Sequence, residues 1–221
     1  SAIISIEDKK FYQHHGVDFK GILRAVKAMI ENGRVTQGAS TITQQLARNI
    51  FLGYEKTYSR KIKEMFIAVA LEQKYTKQDI LEFYMNNVYF ANGYYGIESA
   101  SEAYFNKKAK DLSISQIAFL CSIPNSPGRY DPYKHKDSTI KRRDRILKNM
   151  YEDGYISQSQ YEKSVDENIT IMPKKETTTN DYAETYILKC ATEALMKEQG
   201  FEFKTTFSST SEKESYSNEY D

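Results

Sequence analysis

The sequence predicts an all-α domain over residues 1–170, followed by a short α/β connector over residues 171–221. Three observations carry this reading. Proline occurs only 4 times in 221 residues, too rarely to interrupt long helices. Apolar residues recur at three- and four-residue spacing almost throughout the first 170 positions. Hydroxyl or acidic residues stand just ahead of most of these runs, where they can accept the free N–H groups of a first helical turn.

In chain order, Asp18 is placed to cap a helix whose Phe19, Ile22, Leu23, Val26, Met29 and Ile30 form one face, with Gly33 as its stop. After a loop holding Thr36 and Gly38, Ser40 opens a second helix. Ile42, Leu46, Ile50 and Phe51 lie along one side, and Thr41, Gln44, Gln45 and Arg48 along the other. Periodicity alone favours solvated surface for that polar stripe. Ser59 is the expected cap of a helix over 60–73, with Ile62, Phe66, Val69 and Ala70 facing inward. Thr76 and Asp79 have capping-box spacing and open a helix to residue 86. The aromatic stretch 89–95, broken by Gly93, predicts a loop, and a short helix follows over 96–105. Ser113 and Gln116 cap another, stopped by Pro124, and 125–132 is turn chemistry. Asp137 starts a basic helix ended by Gly154. Its Lys141, Arg142, Arg143 and Arg145 oppose Ile140, Ile146, Leu147 and Met150, and the charge run is expected to be solvated. A last short helix covers 157–167. In the connector, Asp181 and Glu184 begin a helix to about residue 199, residues 201–207 alternate like a strand, and 208–221 is too polar to pack well.

Composition narrows the partners. A net charge of +1 gives no global field for nucleic acid, so any polyanion must meet a local patch. Cys121 and Cys190 lie inside apolar helical patterns and are expected to be buried thiols. No apolar run reaches the length of a membrane span. The apolar pattern is already running at Ala2, which predicts preceding sequence such as an anchor.

The chemistry concentrates in residues 7–16, where Glu7, Asp8, two lysines, Phe11, Tyr12, His14, His15 and Gly16 crowd together. A carboxylate beside apolar and aromatic neighbours suits acid or base work. The alternative is a helix end with both acids in its first turn. His14 and His15 would diverge on any regular element, so no metal pair is expected. Arg60, Lys61 and Glu64 pose a similar choice. Arg60 and Glu64 at i,i+4 make an ordinary surface pair. Two cations at a helix N-terminus, however, oppose its dipole unless an anion binds there.

Taken in order, five stretches resemble the glycosyltransferase family 51 domain of class A penicillin-binding proteins. They are 7–16; Gly38-Ala39-Ser40-Thr41-Ile42-Thr43-Gln44-Gln45; Arg60-Lys61-Ile62-Lys63-Glu64 with 82–86; Tyr95-Gly96-Ile97-Glu98 with Ala103-Tyr104-Phe105; and 124–132 with Arg142-Arg143. The resemblance covers about residues 2–155. Arg48 stands where the family more often has Lys, and Ala39 where Gly is common. Arg keeps the charge but forks rather than points.

The resemblance implies a lysozyme-like helical head with a small membrane-facing jaw, expected around residues 34–58. It implies an enzyme that polymerises lipid II into β-1,4-linked glycan strands and releases undecaprenyl pyrophosphate. Glu7 would be the general base and Glu64 the second acid. Arg48, Arg60 and Lys61 would hold the diphosphate, and Ser40, Thr41, Gln44 and Gln45 would bond sugar or phosphate. No cofactor is required by this reading, although a divalent cation (Mg or Mn) could bridge the diphosphate. The implied location is the outer face of the cytoplasmic membrane, with an N-terminal anchor helix, a C-terminal transpeptidase domain and sensitivity to moenomycin. A lysozyme-like lytic enzyme is the rival within enzymes. A silent glycan-binding module and a helical nucleic-acid binder are rivals from other classes.

Overall fold

The computed structural model describes residues 1–32, 40–52 and 57–174. Among them are nine α-helices, one 3-10 turn and no strand, so the all-α expectation holds for the described residues. The connector expected over 171–221 lies outside them from residue 175 onward, and Cys190 with it. The helices are α1 (Ala2–Glu7), α2 (Phe19–Asn32), α3 (Ile42–Phe51), α4 (Tyr58–Lys74), α5 (Lys77–Asn87), α6 (Ile97–Phe105), α7 (Ile114–Leu120), α8 (Lys136–Glu152) and α9 (Gln158–Asp166).

The predicted caps at Thr76, Ser113 and Ser157 form capping boxes, each hydroxyl accepting the N3 backbone N–H while the N3 side chain reaches back. Two caps fall elsewhere. Thr41, not Ser40, caps α3 and makes a capping box with Gln44. Thr57, not Ser59, caps α4 and accepts from the Arg60 N–H at 3.1 Å. In both cases a β-branched hydroxyl residue with extended backbone was available within two positions of the expected one, and sequence spacing does not separate them.

The core fills the space between α3, α4 and α5 on one side and α1, α7, α8 and α9 on the other. Tyr84, Tyr104, Phe11, Phe90 and Phe119 are its largest fully buried side chains. The phase of α4 is rotated from the expected one, with Val69 and Ala70 half-buried rather than in the core. Ile62 and Phe66 are exposed, and Glu64, Ala68 and Leu71 face inward. The apolar face of α2 is also open, with Phe19, Leu23, Val26 and Ile30 all exposed. A periodic apolar stripe marks a face that avoids water, but it does not say whether protein or lipid covers it.

Gly16 ties the first motif to this frame. Its φ is +86°, and a Cβ there would sit 2.7 Å from the Ala68 backbone, so only glycine lets the loop lie on α4.

Candidate active site

Two groups of polar side chains meet around α3. The first is centred on Glu7, the last residue of α1. The acids of this motif therefore stand at a helix C-terminus, not in a first turn. A carboxylate is unfavourable there, and the chain answers with a partner from 135 positions away. Arg142 of α8 donates from Nη2 to Glu7 Oε1 at 2.9 Å, both side chains being nearly buried. Gln45 Nε2 donates to Oε2 at a longer 3.3 Å, and the Tyr84 hydroxyl donates to Gln45 Oε1 at 3.2 Å. Complete burial, then the Glu7 charge, push the Tyr84 phenol well up, so it stays a neutral donor.

The second group is centred on Glu64, which is 0% exposed. Arg60 Nη1 pairs with Oε1, and Lys61 Nζ with Oε2 at 2.6 Å. Lys61 also donates to Ser40 Oγ at 2.8 Å. Burial, then Arg48, then Arg60, push the Lys61 amine down to about 8. The contact with Glu64 favours the charged form and is outweighed. Arg48 acts electrostatically on both Lys61 and Tyr84, so its charge is felt in both groups.

The structure thus joins Ser40, Arg48, Arg60, Lys61 and Glu64 in one cluster, and Glu7 with Gln45 in its neighbour. The solvated stripe expected on α3 is instead buried at Thr41, Gln44 and Gln45. Thr41 donates to the Gly16 carbonyl at 2.6 Å and shares the capping box with Gln44, so these two hold the loop and the helix start. Gln44 Nε2 is buried without a hydrogen-bond partner.

Behind this site runs a polar network. Asp8 Oδ2 accepts from His14 Nε2 at 2.9 Å and from the Ile42 backbone N–H at 3.0 Å, placing a carboxylate on the first turn of α3. Glu72 accepts from Thr43 at 2.6 Å and Lys77 at 2.7 Å. Sequence reasoning passed over Arg142 as a site residue. Of the charge run of α8 expected in solvent, Lys141 and Arg145 are exposed, but Arg143 is buried and the Arg142 side chain nearly so. The signal was there in the fifth motif, which pairs these two arginines. Arg143 is structural, bonding Ser115 Oγ and the carbonyls of Glu167 and Val165. No group of three or more His, Cys, Asp or Glu side chains suited to a metal occurs among the described residues.

The family model described as Transglycosylase matches residues 1–151. The chain is 41% identical over 217 residues to penicillin-binding protein 4 of Bacillus subtilis, covering 98% of this chain and 35% of that protein. It is 52% identical over 156 residues to penicillin-binding protein 1F of the same organism, covering 71% and 22%. To penicillin-binding protein 1A of Escherichia coli it is 44% identical over 168 residues, covering 76% and 20%. Among solved structures, penicillin-binding protein 1A from Haemophilus influenzae overlays with a TM-score of 0.44 at 26% identity, covering 58% of this chain and 18% of that one. That overlay is too loose to add to the fold description. The chain belongs to the transglycosylase family. It spans between a fifth and about a third of the length of the three penicillin-binding relatives it matches.

Proposed function

We propose that this domain is a peptidoglycan glycosyltransferase that polymerises lipid II, with Glu7 as the base. The observation that carries this is the second cluster. Arg60 and Lys61 pair with a single buried carboxylate, Glu64, and a third cation, Arg48, is near enough to act electrostatically on Lys61. Their mutual repulsion is relieved when an anion enters, and a lipid diphosphate supplies one with the oxygens to accept several charge-assisted bonds. A lytic glycan-cleaving enzyme has no diphosphate to hold, and its site would need no such group. A silent module would have no reason to keep the paired carboxylates.

In this reading the acceptor sugar presents its 4-hydroxyl to Glu7 Oε2, the oxygen whose bond from Gln45 is long. As the acceptor's 4-hydroxyl oxygen attacks C1 of the donor sugar, Glu7 Oε2 takes the hydroxyl proton. The C1–O bond breaks, and its electron pair leaves with the diphosphate held by Arg48, Arg60 and Lys61. Arg142 and Gln45 fix the carboxylate for the transfer. The two-carboxylate logic parallels inverting glycosidases, with a sugar hydroxyl in place of water. Glu64 holds Arg60 and Lys61 in position. A divalent cation, Mg or Mn, would arrive with the diphosphate, its oxygens supplying most ligands.

Of the membrane contact expected over residues 34–58, residues 34–39 and 53–56 lie outside the described set, and within it Ile50 is buried and Phe51 and Leu52 are half-buried. The exposed stripe of Phe19, Leu23, Val26 and Ile30 on α2 is the better-supported contact. Lys20, Arg24 and Lys27 share that helix, and apolar and cationic groups together suit the headgroup boundary of a bilayer. We assign the domain to the outer face of the cytoplasmic membrane, in a longer protein carrying an anchor and a transpeptidase domain. Fluorescent lipid II tests the function directly. Long glycan products support it; shortened preformed glycan, or no product, overturns it.

A further inference from the structure

We propose that a shallow cavity beside Glu7 is an oxyanion subsite that seats the acceptor's own diphosphate. It has a volume of about 190 Å³ and is lined by Arg129, Tyr130, Ser138, Lys141, Arg142 and Arg145. This rests on the polymerase reading above and adds a residue set that the donor cluster does not share.

Four of the six lining residues are cationic and none is acidic, in a chain whose net charge is only +1. Ser138, Lys141, Arg142 and Arg145 recur at i, i+3, i+4 and i+7, so they form one stripe along α8, roughly 10 Å long. Among the described residues, Arg129, Lys141 and Arg145 pair with no carboxylate. Elsewhere on α8, Arg143 pairs with Asp144 and Lys148 with Glu152. Lys141 and Arg145 also face each other as like charges at i,i+4, a small cost that a bound anion removes.

Arg142 links the cavity to the chemistry. Its side chain is nine-tenths buried, its Nη2 holds Glu7, and its guanidinium lies 5.1 Å from the centre of the Tyr130 ring. Its Nε is buried and has no hydrogen-bond partner. A buried, charged N–H left unpaired is costly, and an oxyanion in the cavity satisfies it. The acceptor's hydroxyl sits on Glu7, so its charged groups lie within reach of a cavity that Arg142 joins to Glu7. Four cations match a diphosphate better than a single stem-peptide carboxylate, which one guanidinium would satisfy.

The test uses the 221-residue chain and initial rates of lipid II polymerisation. Lys141 and Arg145 are exposed, so Lys141→Gln with Arg145→Gln spares the fold. The expected result is a KM for lipid II raised about tenfold or more, with kcat and moenomycin affinity close to wild type. Lys148→Gln, which removes a positive charge from α8 outside the cavity, should leave KM unchanged. An unchanged KM in the double variant, or an equal rise in Lys148→Gln, overturns the subsite. Lipid II with amidated stem carboxylates separates the two anion sources. The penalty should persist with it, and its disappearance would assign the cavity to the stem and overturn the diphosphate assignment. If wild type makes no polymer, it is the polymerase reading that fails.

Discussion

Asp8→Asn separates support from chemistry in the first motif. Both hydrogen bonds to Asp8, from His14 Nε2 and the Ile42 N–H, end on the same oxygen, Oδ2. An asparagine with its oxygen at that place keeps both contacts and loses only the charge. The lost terms are the attraction of a carboxylate for the α3 N-terminus and the charge assistance of two nearly buried bonds. Together they are worth about 1–2 kcal/mol. For a domain of this size that lowers Tm by roughly 2–8 °C. Circular dichroism melts should show the drop, and lipid II turnover below the new Tm should stay within about tenfold of wild type. An unchanged melt with abolished turnover would refute the reasoning, because Asp8 would then be touching the reaction rather than holding α3.

Three further outcomes follow from the structure. Lys61 is pushed down to about 8, chiefly by burial, so it is charged below that pH and neutral above it. Moenomycin affinity should be flat below pH 8 and fall above it, by at most about tenfold per pH unit. Lys61→Ala should bind about tenfold or more weakly without that dependence, and identical profiles for both proteins would remove Lys61 from the anion site. Arg143→Ala leaves two carbonyls and the Ser115 hydroxyl without their donor, and thermal melts should show a loss of about 3 kcal/mol or more. Leu23→Gln with Ile30→Gln on α2 should reduce flotation with anionic liposomes several-fold while leaving Tm within a degree or two, since both side chains are exposed.

Local signals in the sequence were informative where the physics is local. Hydroxyl residues at Thr76, Ser113 and Ser157, each three positions before an amide or carboxylate, located three helix starts, because a capping box is satisfied within four residues. Facing was harder to read. Ile62 and Phe66 look like core by periodicity, yet α4 turns the charged Glu64 inward, because Arg60 and Lys61 neutralise it. The polar stripe on α3 looked like surface for the same reason: burial of Gln45 depends on Tyr84 and Glu7, 39 and 38 residues away. The stretch 7–16 declared its importance by composition, but Arg142 reaches Glu7 across 135 residues. No local pattern carries that distance, and only the fifth motif hinted at it.

Glu7→Gln tests the central claim most directly. The amide keeps the size of the side chain and a bond from Arg142, but it cannot take a proton. Moenomycin affinity should stay close to wild type, while melts should show a stability loss of up to about 3–5 kcal/mol, because the amide leaves the nearly buried Arg142 charge unpaired. The rate of lipid II polymerisation should fall by roughly two to four orders of magnitude. A folded Glu7→Gln protein that polymerises lipid II at close to the wild-type rate would contradict the account, because Glu7 would then not be the base.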